Sequence, residues 1–482
     1  MADMNVIIED SQNNMNPHQP QDTTHPSLPA AEDELDPFLS LPSVMVYQQS
    51  QVSRHDLVLD PETGVIIAVH KGSRGPATEG SVVIDGTNHT LLPGLIESHM
   101  HAHDGHLPKG RDVSFNLRSA LRCGITTCCD MHSSPDIIHQ LRQKVIKMDE
   151  EGDLGSTMAD LKSCLWAATI KGGWPKPVVL GPDPSEEQRA FVDSWPNVTP
   201  ENAIEFVTQQ RKAGADYIKL MQEDGSCLAL PDGAIPPASA EVQEAVVKAA
   251  RAQGLVVVGH ALSLDNTELL LRAGVDGLTH TFIDKPLSDS VLDLYKQTNS
   301  FVMPTLVVLS SLTAEEQQRR QRFADVALRN GVIDDFTHGI MTEPLKGASA
   351  EARLSYACDT LRRFKDEGVD ILAGTDSVAG LRGTAVGPSM WMELDMYVER
   401  CGMSIREALR SATSVPAKRL GFHDRGVGDV SEGLDCLWER DGVAGVWKKG
   451  LRLSVKKKKK KKKKQKKKKK KKQKQKADKD VD

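Results

Sequence analysis

Between residues 91 and 422, short apolar runs alternate with helical patterns, and β-branched runs flank this region on both sides. Such alternation is typical of parallel strands that are connected by helices. Eight apolar runs over about 330 residues fit a barrel of eight strands and eight helices. The sequence therefore predicts an α/β protein: a (β/α)8 TIM barrel over residues 91–422, with a small composite β-sandwich domain formed by 43–90 and 423–455.

The small β domain is predicted from both flanks of the barrel. Before it, from Val44, the runs VMVY, DLVLD, GVIIAVH and SVVIDG are separated by Pro, Gly and Ser, as is typical of short strands. After Leu420 the β pattern returns in DCLWERD, GVAGVWKKG and LRLSV, and we expect it to complete the same domain. Residues 1–42 are polar, acidic and rich in proline, so they are predicted to be a disordered N-terminal segment.

The charge of the chain is unevenly distributed. The formal net charge is −5, but the segment 456–482 is a lysine-rich low-complexity tail with 19 lysines and 3 acidic residues, which leaves −21 for the rest. An acidic body argues against a nucleic-acid-binding surface on the folded part. A lysine block of this kind is usually solvated, and a role in localisation or in binding an acidic partner stays open.

Cysteine usage and hydropathy predict the compartment. The 8 cysteines are too few and too irregularly spaced for a disulfide scaffold, and they form no C-x-x-C pair. No apolar run approaches the length of a membrane span. We therefore expect a soluble, cytoplasmic protein with reduced thiols and no membrane partner; assembly into a homo-oligomer is left open.

The barrel elements follow from the apolar runs in order. The first strand is the LLPGLI run from Leu91, and the others are expected at Gly124–Asp130, Lys162–Thr169, Tyr217–Met221, Leu255–Gly259, Gly277–Thr279, Phe301–Pro304 and Ile371–Gly374. Helical patterns between them are expected at Ala203–Ala213, Ala240–Gln253, Asn266–Ala273, Ser288–Gln297, Ala350–Glu367 and Trp391–Arg400. Residues 144–200 give no clear pattern, and the longest insertion lies at about 310–349, before the eighth strand.

Polar residues lie at the ends of several predicted strands, where a β/α barrel carries its chemistry. In a strand, side chains two apart share a face, so the imidazoles of His99 and His101 can bind one metal ion. A lysine inside an apolar strand must be neutralised or paired, which applies to Lys219. Six residues from five strands would meet at one mouth and form a metal site: His99, His101, Lys219, His260, His280 and Asp376.

The segments PGLIESHMH, YIK and AGTDS, together with the two strand-end histidines, resemble the metal-dependent amidohydrolase superfamily. In detail they are similar to its binuclear branch, close to Xaa-Pro dipeptidase-like and imidazolonepropionase-related hydrolases. The resemblance covers about residues 44–435, including the helical stretch 387–422 after the last barrel strand. It implies hydrolysis of a C–N amide bond in a small molecule, with a dipeptide-like or N-acyl amino-acid substrate.

The resemblance also implies roles for the six residues. His99, His101 and Asp376 would hold a buried divalent ion, and His260 and His280 a more exposed one, with zinc the expected metal. Lys219 would be carboxylated by CO2 and bridge both ions. Asp376 would be catalytic, taking a proton from the attacking hydroxide and passing it to the leaving amine.

Three other readings stay open. A mononuclear deaminase of the superfamily would carry a glutamate shortly after the strand-five histidine and lack the strand-four lysine, but His260 is followed by Ala-Leu-Ser-Leu-Asp and Lys219 is present. A cyclic-amide hydrolase would use the same metal ligands. A non-catalytic scaffold is disfavoured because such homologues typically lose metal ligands, whereas this chain keeps all six.

Three further residues are candidates for substrate binding. His103 shares the strand face of His99 and His101. His132, just beyond the second strand, would either contact a substrate oxygen or lie on the surface. Glu223 follows the fourth strand and would meet a substrate amine. One departure from the family is Glu97, which stands where an aspartate usually precedes the histidine pair.

Overall fold

The computed structural model describes most of the predicted barrel and parts of the β domain. The described residues are 39–48, 51–59, 66–71, 82–83, 90–102, 112, 114–151, 157–422, 436–439, 442–448 and 451–453. They all belong to one unit that begins at Pro37. The lysine-rich tail, nearly all of the N-terminal segment 1–42, and His103 lie outside the described residues.

The strands are, in chain order, β1 (Leu39–Gln48), β2 (Gln51–Leu59), β3 (Ile66–Lys71), β4 (Val82–Val83), β5 (Thr90–Leu92), β6 (Leu95–His101), β7 (Ile125–Asp130), β8 (Asp160–Ser163), β9 (Ile218–Met221), β10 (Val257–His260), β11 (Gly277–Thr279), β12 (Phe301–Met303), β13 (Ser377–Val378), β14 (Cys436–Glu439), β15 (Gly442–Lys448) and β16 (Leu451–Leu453). The helices are α1 (Ser114–Arg122), α2 (Pro135–Glu151), α3 (Lys176–Leu180), α4 (Glu186–Asp193), α5 (Ala203–Lys212), α6 (Ala240–Ala252), α7 (Leu264–Ala273), α8 (Asp289–Thr298), α9 (Leu306–Leu312), α10 (Gln317–Arg329), α11 (Asp335–Thr342), α12 (Leu354–Glu367), α13 (Pro388–Glu399), α14 (Ile405–Ser411) and α15 (Ser414–Arg419).

The strands outside the barrel region form one eight-stranded sheet. Its order is β16-β15-β14-β5-β1-β2-β3, and β4 pairs with β1. The antiparallel pairing of β14 with β5 joins the segment after the barrel to the segment before it. These two parts of the chain therefore share one sheet, whereas the predicted sandwich, which requires a second layer, stays a prediction.

The strands of the barrel region form two parallel sheets of four. One has the order β13-β6-β7-β8 and the other β12-β11-β10-β9, and their strands pair in parallel throughout. Isolated parallel bridges pair Ala168 with Leu220 of β9 and Ile371 with Val302 of β12. Parallel strands alternating with helices confirm the α/β class.

Side chains from these strands form a buried cluster beneath the strand ends. The strand residues of this cluster include Ile96, Cys129, Tyr217, Val258, Phe301 and Leu372. Gly277 makes room for it, since a Cβ at this position would lie 2.1 Å from the ring of Phe301. The Tyr217 hydroxyl donates a hydrogen bond to the Asp130 carbonyl at 2.9 Å, in keeping with a packing role. The cluster supports the polar residues above it.

The eighth strand differs from its prediction at Ile371–Gly374. Only Ile371 forms a bridge there, and regular pairing resumes at β13, where Ser377 lies opposite Met100. The interruption has a local cause: Asp376 has a φ of 54°, in the left-handed region that is costly for residues other than glycine. The amides of Thr375 and Asp376 both donate to the His99 carbonyl, at 3.1 and 2.8 Å. The chain therefore bends toward β6 where a regular ladder was predicted.

The third strand also differs from its prediction at Lys162–Thr169. It spans Asp160–Ser163, and Leu165 adopts a left-handed φ of 60° directly after it. That conformation ends the strand, so the predicted second half becomes loop. The loop continues to Trp174 and forms part of the surroundings of the candidate site.

Predicted and observed helices agree most closely where the apolar period is clear. The helix expected at Ala240–Gln253 is Ala240–Ala252, capped by the Ser239 side chain, which accepts from the Val242 amide. The helix expected from Ala350 begins four residues later, at Leu354. Seven helices of the described residues had no predicted counterpart, namely α1 to α4 and α9 to α11, whereas α14 and α15 lie within the expected helical stretch 387–422. No helix in the described part of the chain has both the length and the apolar character needed to cross a bilayer.

Candidate metal centre

Strand β6 and the bend before β13 bring three of the predicted ligands together. The Nε2 atoms of His99 and His101 lie 3.2 and 3.0 Å from Oδ1 of Asp376. One donor atom from each of these residues lies within 4.8 Å of the other two. Two imidazoles and one carboxylate are a donor set that zinc and similar divalent ions prefer. The residues present therefore fit one metal ion.

The two other predicted histidines contact each other, and His280 also lies close to the Asp376 carboxylate. Nε2 of His280 is 3.8 Å from Oδ2 of Asp376 and 3.1 Å from Nδ1 of His260. The side chains of His260 and His280 are 4% exposed, whereas those of His101 and Asp376 are 16% and 17% exposed. The His99 side chain is only 2% exposed, so exposure does not separate the two groups of side chains, and the expected difference in exposure between the two ions stays a prediction.

Lys219 completes the group from strand β9. Its side chain is buried, and burial lowers its pKa to about 8. Its positive charge opposes protonation of all four histidines, and the negative charge of Asp376 opposes its own deprotonation. All six predicted residues therefore lie within electrostatic reach of one another.

The protonation states of the site suit a metal ion. Burial lowers the pKa of His99 to about 3 and also lowers that of His260 and His280, which keeps these imidazoles neutral. Burial would lower the pKa of His101 as well, but its contact with Asp376 raises it. For Asp376, burial would raise the pKa, but the neighbouring imidazoles hold it well below its ordinary value. Neutral imidazole and ionised carboxylate are the metal-binding forms.

Hydrogen bonds to the opposite ring nitrogens fix the orientation of three histidines. Nδ1 of His99 lies 2.5 Å from the Thr279 hydroxyl, and Nδ1 of His280 lies 2.5 Å from the Thr305 hydroxyl. Nδ1 of His101 lies 3.3 Å from the His132 carbonyl. In each case Nε2 is left facing Asp376, which is how a metal-binding histidine is normally held. The threonines were not predicted, because a threonine at a strand end has no distinctive sequence signal.

Glu97 connects the two segments that carry His99 and Asp376. Its carboxylate accepts hydrogen bonds from the Thr375 amide and hydroxyl, both at 2.9 Å, and from the His99 amide at 3.3 Å. Burial raises its pKa to about 8 even though these bonds lower it. The glutamate that departs from the usual family residue thus ties strand β6 to the bend before β13.

His132 is buried, so the alternative of a surface position is wrong. Its Nδ1 accepts a hydrogen bond from the Ala167 amide at 3.0 Å. Its ring centroid lies 4.6 Å from that of Trp195 and 5.3 Å from that of Trp166. His132 therefore packs in an aromatic group beside His101, and contact with substrate stays a prediction.

Glu223 has partners that the sequence did not suggest. Its Oε2 lies 3.2 Å from Nε2 of His260, and its Oε1 accepts from the Gly225 amide at 2.8 Å. The Trp174 ring stacks on the His260 ring, with 5.3 Å between the two ring centroids. Both Glu223 oxygens are thus engaged within the protein, and the predicted contact with a substrate amine stays untested.

The chain is similar to a known protein family and to individual proteins. Residues 90–435 match the amidohydrolase family. An uncharacterized protein of Mycobacterium tuberculosis (strain ATCC 25618 / H37Rv) is 22% identical over 386 residues, which cover 78% of this chain and 87% of that protein.

Solved structures show the same architecture. A Xaa-Pro dipeptidase with methionine bound in its active site has a TM-score of 0.63 at 23% identity, and the match covers 86% of this chain and 100% of that one. Phenylurea hydrolase B has a TM-score of 0.64 at 18% identity, covering 86% of this chain and 96% of that one. At these identities the similarity shows the fold, which is TIM-barrel-like. The family match includes all six residues of the candidate metal centre, and the chain therefore belongs to the amidohydrolase family of hydrolases.

Proposed function

We propose that this protein is a metal-dependent hydrolase that cleaves a C–N amide bond in a small molecule with a dipeptide-like or N-acyl amino-acid structure. The observation that carries the proposal is the position of the Asp376 carboxylate between the His99–His101 pair and His280. The names of two similar structures, a Xaa-Pro dipeptidase and phenylurea hydrolase B, support a C–N bond as the target. Membership of the amidohydrolase family supports hydrolysis.

Two divalent ions, most simply zinc, fit the donor set. His99, His101 and Asp376 would hold one ion, and His260 and His280 the other. Lys219 would join both positions as a carbamate, since carboxylation converts a cation that repels metal ions into an anion that binds them. A pKa of about 8 supports this step, because CO2 reacts with the neutral amine and a lowered pKa increases its fraction at neutral pH. Bound ions supply a lowered pKa for a water molecule and polarise the substrate carbonyl.

Asp376 would carry the proton between the two halves of the reaction. Its pKa lies well below the ordinary value, so it is a carboxylate at neutral pH and can accept the proton of the attacking water. It would then deliver this proton to the amine nitrogen as the C–N bond breaks, leaving a carboxylic acid and an amine. Oδ1 of Asp376 lies 3.2 and 3.0 Å from Nε2 of His99 and His101, so an ion held by these three residues would keep the carboxylate in place for both transfers.

We further propose that the eight strands close into a complete barrel around this site. The support is a set of backbone hydrogen bonds, two across the gaps between the two parallel sheets and a third between β6 and the predicted eighth strand. The Ala168 amide donates to the Lys219 carbonyl at 2.7 Å, the Leu372 amide to the Val302 carbonyl at 2.8 Å, and the Ser98 amide to the Ala373 carbonyl at 2.9 Å.

The experiment that tests the proposed function is elemental analysis followed by an activity screen. Protein purified without chelator and with bicarbonate present should contain about two zinc-like ions per chain. Dipeptides, N-acyl amino acids and simple amides are then screened for amine release, which should stop when a chelator removes the metal and return when zinc is added. Absence of metal even after reloading would overturn the enzyme proposal and favour the scaffold.

A mononuclear deaminase is the second candidate. The observation in its favour is that the three donor atoms found close together belong to His99, His101 and Asp376, which is a set for one ion. A single ion per chain, together with ammonia release from amino-substituted rings, would support this alternative over the amide hydrolase.

A further inference from the structure

Glu223 is a buried carboxylate that the proposed reaction does not use. It follows strand β9 by two residues, and only 1% of its surface is exposed. Its Oε1 accepts from the Gly225 amide at 2.8 Å, where Gly225 has a φ of 83° that turns the loop back on the glutamate. Its Oε2 lies 3.2 Å from Nε2 of His260. The loop therefore fixes the direction in which this carboxylate points.

The two nitrogens of His260 have different surroundings. Nε2 faces the Glu223 carboxylate, whereas Nδ1 lies 3.1 Å from Nε2 of His280. A carboxylate can only accept a hydrogen bond, so Nε2 of His260 must carry the proton. A neutral imidazole has one ring proton, and Nδ1 therefore presents its lone pair toward His280.

This arrangement is the reverse of that at the other histidines. His99 and His280 are held through Nδ1 by threonine hydroxyls at 2.5 Å, and they present Nε2 to the site. His260 is held through Nε2 and is held by a carboxylate. An anionic acceptor makes the imidazole a stronger metal ligand than a hydroxyl does. Of these three histidines, His260 alone has an anionic partner at the ring nitrogen that is turned away from the site, and the loop after β9 supplies it.

The surroundings strengthen the contact between Glu223 and His260. The Trp174 ring stacks on the His260 ring with 18° between their planes. His260 itself is 3% exposed, so water does not reach the bond from this side. A hydrogen bond to a charged group is stronger when water is excluded from it.

We propose that Glu223 is a positioning residue that holds His260 with Nδ1 toward the second metal ion and thereby sets the affinity of the protein for that ion. The inference rests on the proposed function in one respect, the assumption that His260 and His280 hold an ion. It goes beyond it by assigning a role in metal affinity to a residue outside the six proposed ligands.

The test is a metal titration of Glu223→Gln beside Asp224→Asn. Asp224 is the matched control because it lies in the same loop and carries the same charge, but its Oδ2 accepts from the Asn266 side chain at 3.0 Å. Metal-free protein is titrated with Co²⁺ and then Zn²⁺ in bicarbonate buffer, and binding is followed by the visible absorption of Co²⁺ and by elemental analysis.

In Glu223→Gln, affinity for the first ion should be unchanged and affinity for the second should fall about 10- to 100-fold. Asp224→Asn should bind both ions like the unaltered protein. Glu223→Asp keeps the charge but moves it back by one methylene, so it should lose less affinity for the second ion. This variant replaces Glu223→Gln in the test if the glutamine variant fails to fold.

Equal affinity of Glu223→Gln and unaltered protein for the second ion would overturn the inference. So would an unaltered protein that binds a single ion, even if it hydrolyses amides. If Glu223→Gln lowers the affinity for the second ion but the unaltered protein hydrolyses no amide, the role of Glu223 is supported and the proposed function is refuted.

Discussion

Glu393 offers a quantitative test of how the structure stabilises a buried charge. It lies on α13, and its two oxygens accept from the amides of Leu306 and Val307, each at 2.8 Å. These are the first two residues of α9, and Thr305 just before them contacts His280. Burial raises the pKa of Glu393 to about 8, although the two amide bonds lower it.

The sign of the pH effect follows from this raised pKa. An unfolded chain binds the Glu393 proton with a pKa near the ordinary 4.5, and the folded protein binds it with a pKa of about 8. Between these values the folded protein holds more protons, so raising the pH through this window lowers the free energy of unfolding. At ~1.4 kcal/mol per pH unit, the loss is about 2 kcal/mol at pH 6 and about 5 kcal/mol at pH 9.

Glu393→Gln should remove this dependence, because glutamine has the shape of the protonated acid and does not titrate. The free energy of unfolding of the variant relative to unaltered protein should therefore increase by about 5 kcal/mol from pH 4.5 to pH 9. Urea unfolding of both metal-free proteins, followed by circular dichroism at several pH values, measures the difference.

Glu407→Gln is the control for Glu393→Gln. Hydrogen bonds from Ser404 lower the pKa of the exposed Glu407, so its contribution is complete above the ordinary value of 4.5 and is lost only in acid. The difference between this variant and unaltered protein should stay constant from pH 6 upward. If the Glu393→Gln difference were equally flat from pH 4.5 to 9, the α9 amides would be holding Glu393 ionised, and the reasoning would be refuted.

Three further substitutions test the site and its support. Thr305→Ala removes the hydroxyl that orients His280, so zinc affinity measured against a chelating dye should fall about 10-fold or more. Thr305→Ser keeps the hydroxyl and should restore the affinity. Unchanged zinc affinity of Thr305→Ala would argue against this role. Asp376→Asn should lower kcat for amide hydrolysis at least about 100-fold, a larger factor than any loss of bound zinc, and equal losses would mean that Asp376 acts only as a ligand. Asp130→Ala removes a buried carboxylate that accepts hydrogen bonds from the Ala102 amide and the hydroxyls of Ser133 and Ser163. The free energy of unfolding, measured by urea titration, should therefore fall by about 3 kcal/mol or more. A fall below about 1 kcal/mol would contradict this reasoning.

Most of the barrel region could be predicted because apolar periodicity reports burial directly. The strands at Tyr217–Met221 and Gly277–Thr279 were found within one residue of their predicted bounds. Helix α10 was missed because its sequence is rich in arginine and glutamine, and its place depends on partners elsewhere. Arg319 and Arg322 both bind Asp395 on α13, which no local pattern indicates.

The contacts around the metal centre were less predictable than the six residues themselves. Strand-end positions follow from periodicity, so the histidines could be named in advance. Their hydrogen-bond partners come from distant parts of the chain: Thr279, whose hydroxyl contacts Nδ1 of His99, is 180 residues away from it in sequence. The position of Glu223 close to a strand end was predicted correctly. The direction of its side chain is set by the turn at Gly225, so its contact with His260 was not predicted, and a substrate amine was expected as its partner.

The bonds from Thr375 to Glu97 have a consequence for the order of folding. They join residues 278 positions apart, and closing so long a loop costs entropy before native contacts offset it. During synthesis, Asp376 leaves the ribosome only after seven of the eight barrel strands. The proposed ion held jointly by His99, His101 and Asp376 would therefore bind only chains whose first and last strands have met, and it would stabilise those chains by mass action. Truncated or half-folded chains lack this stabilisation, so metal supply would select for completed molecules.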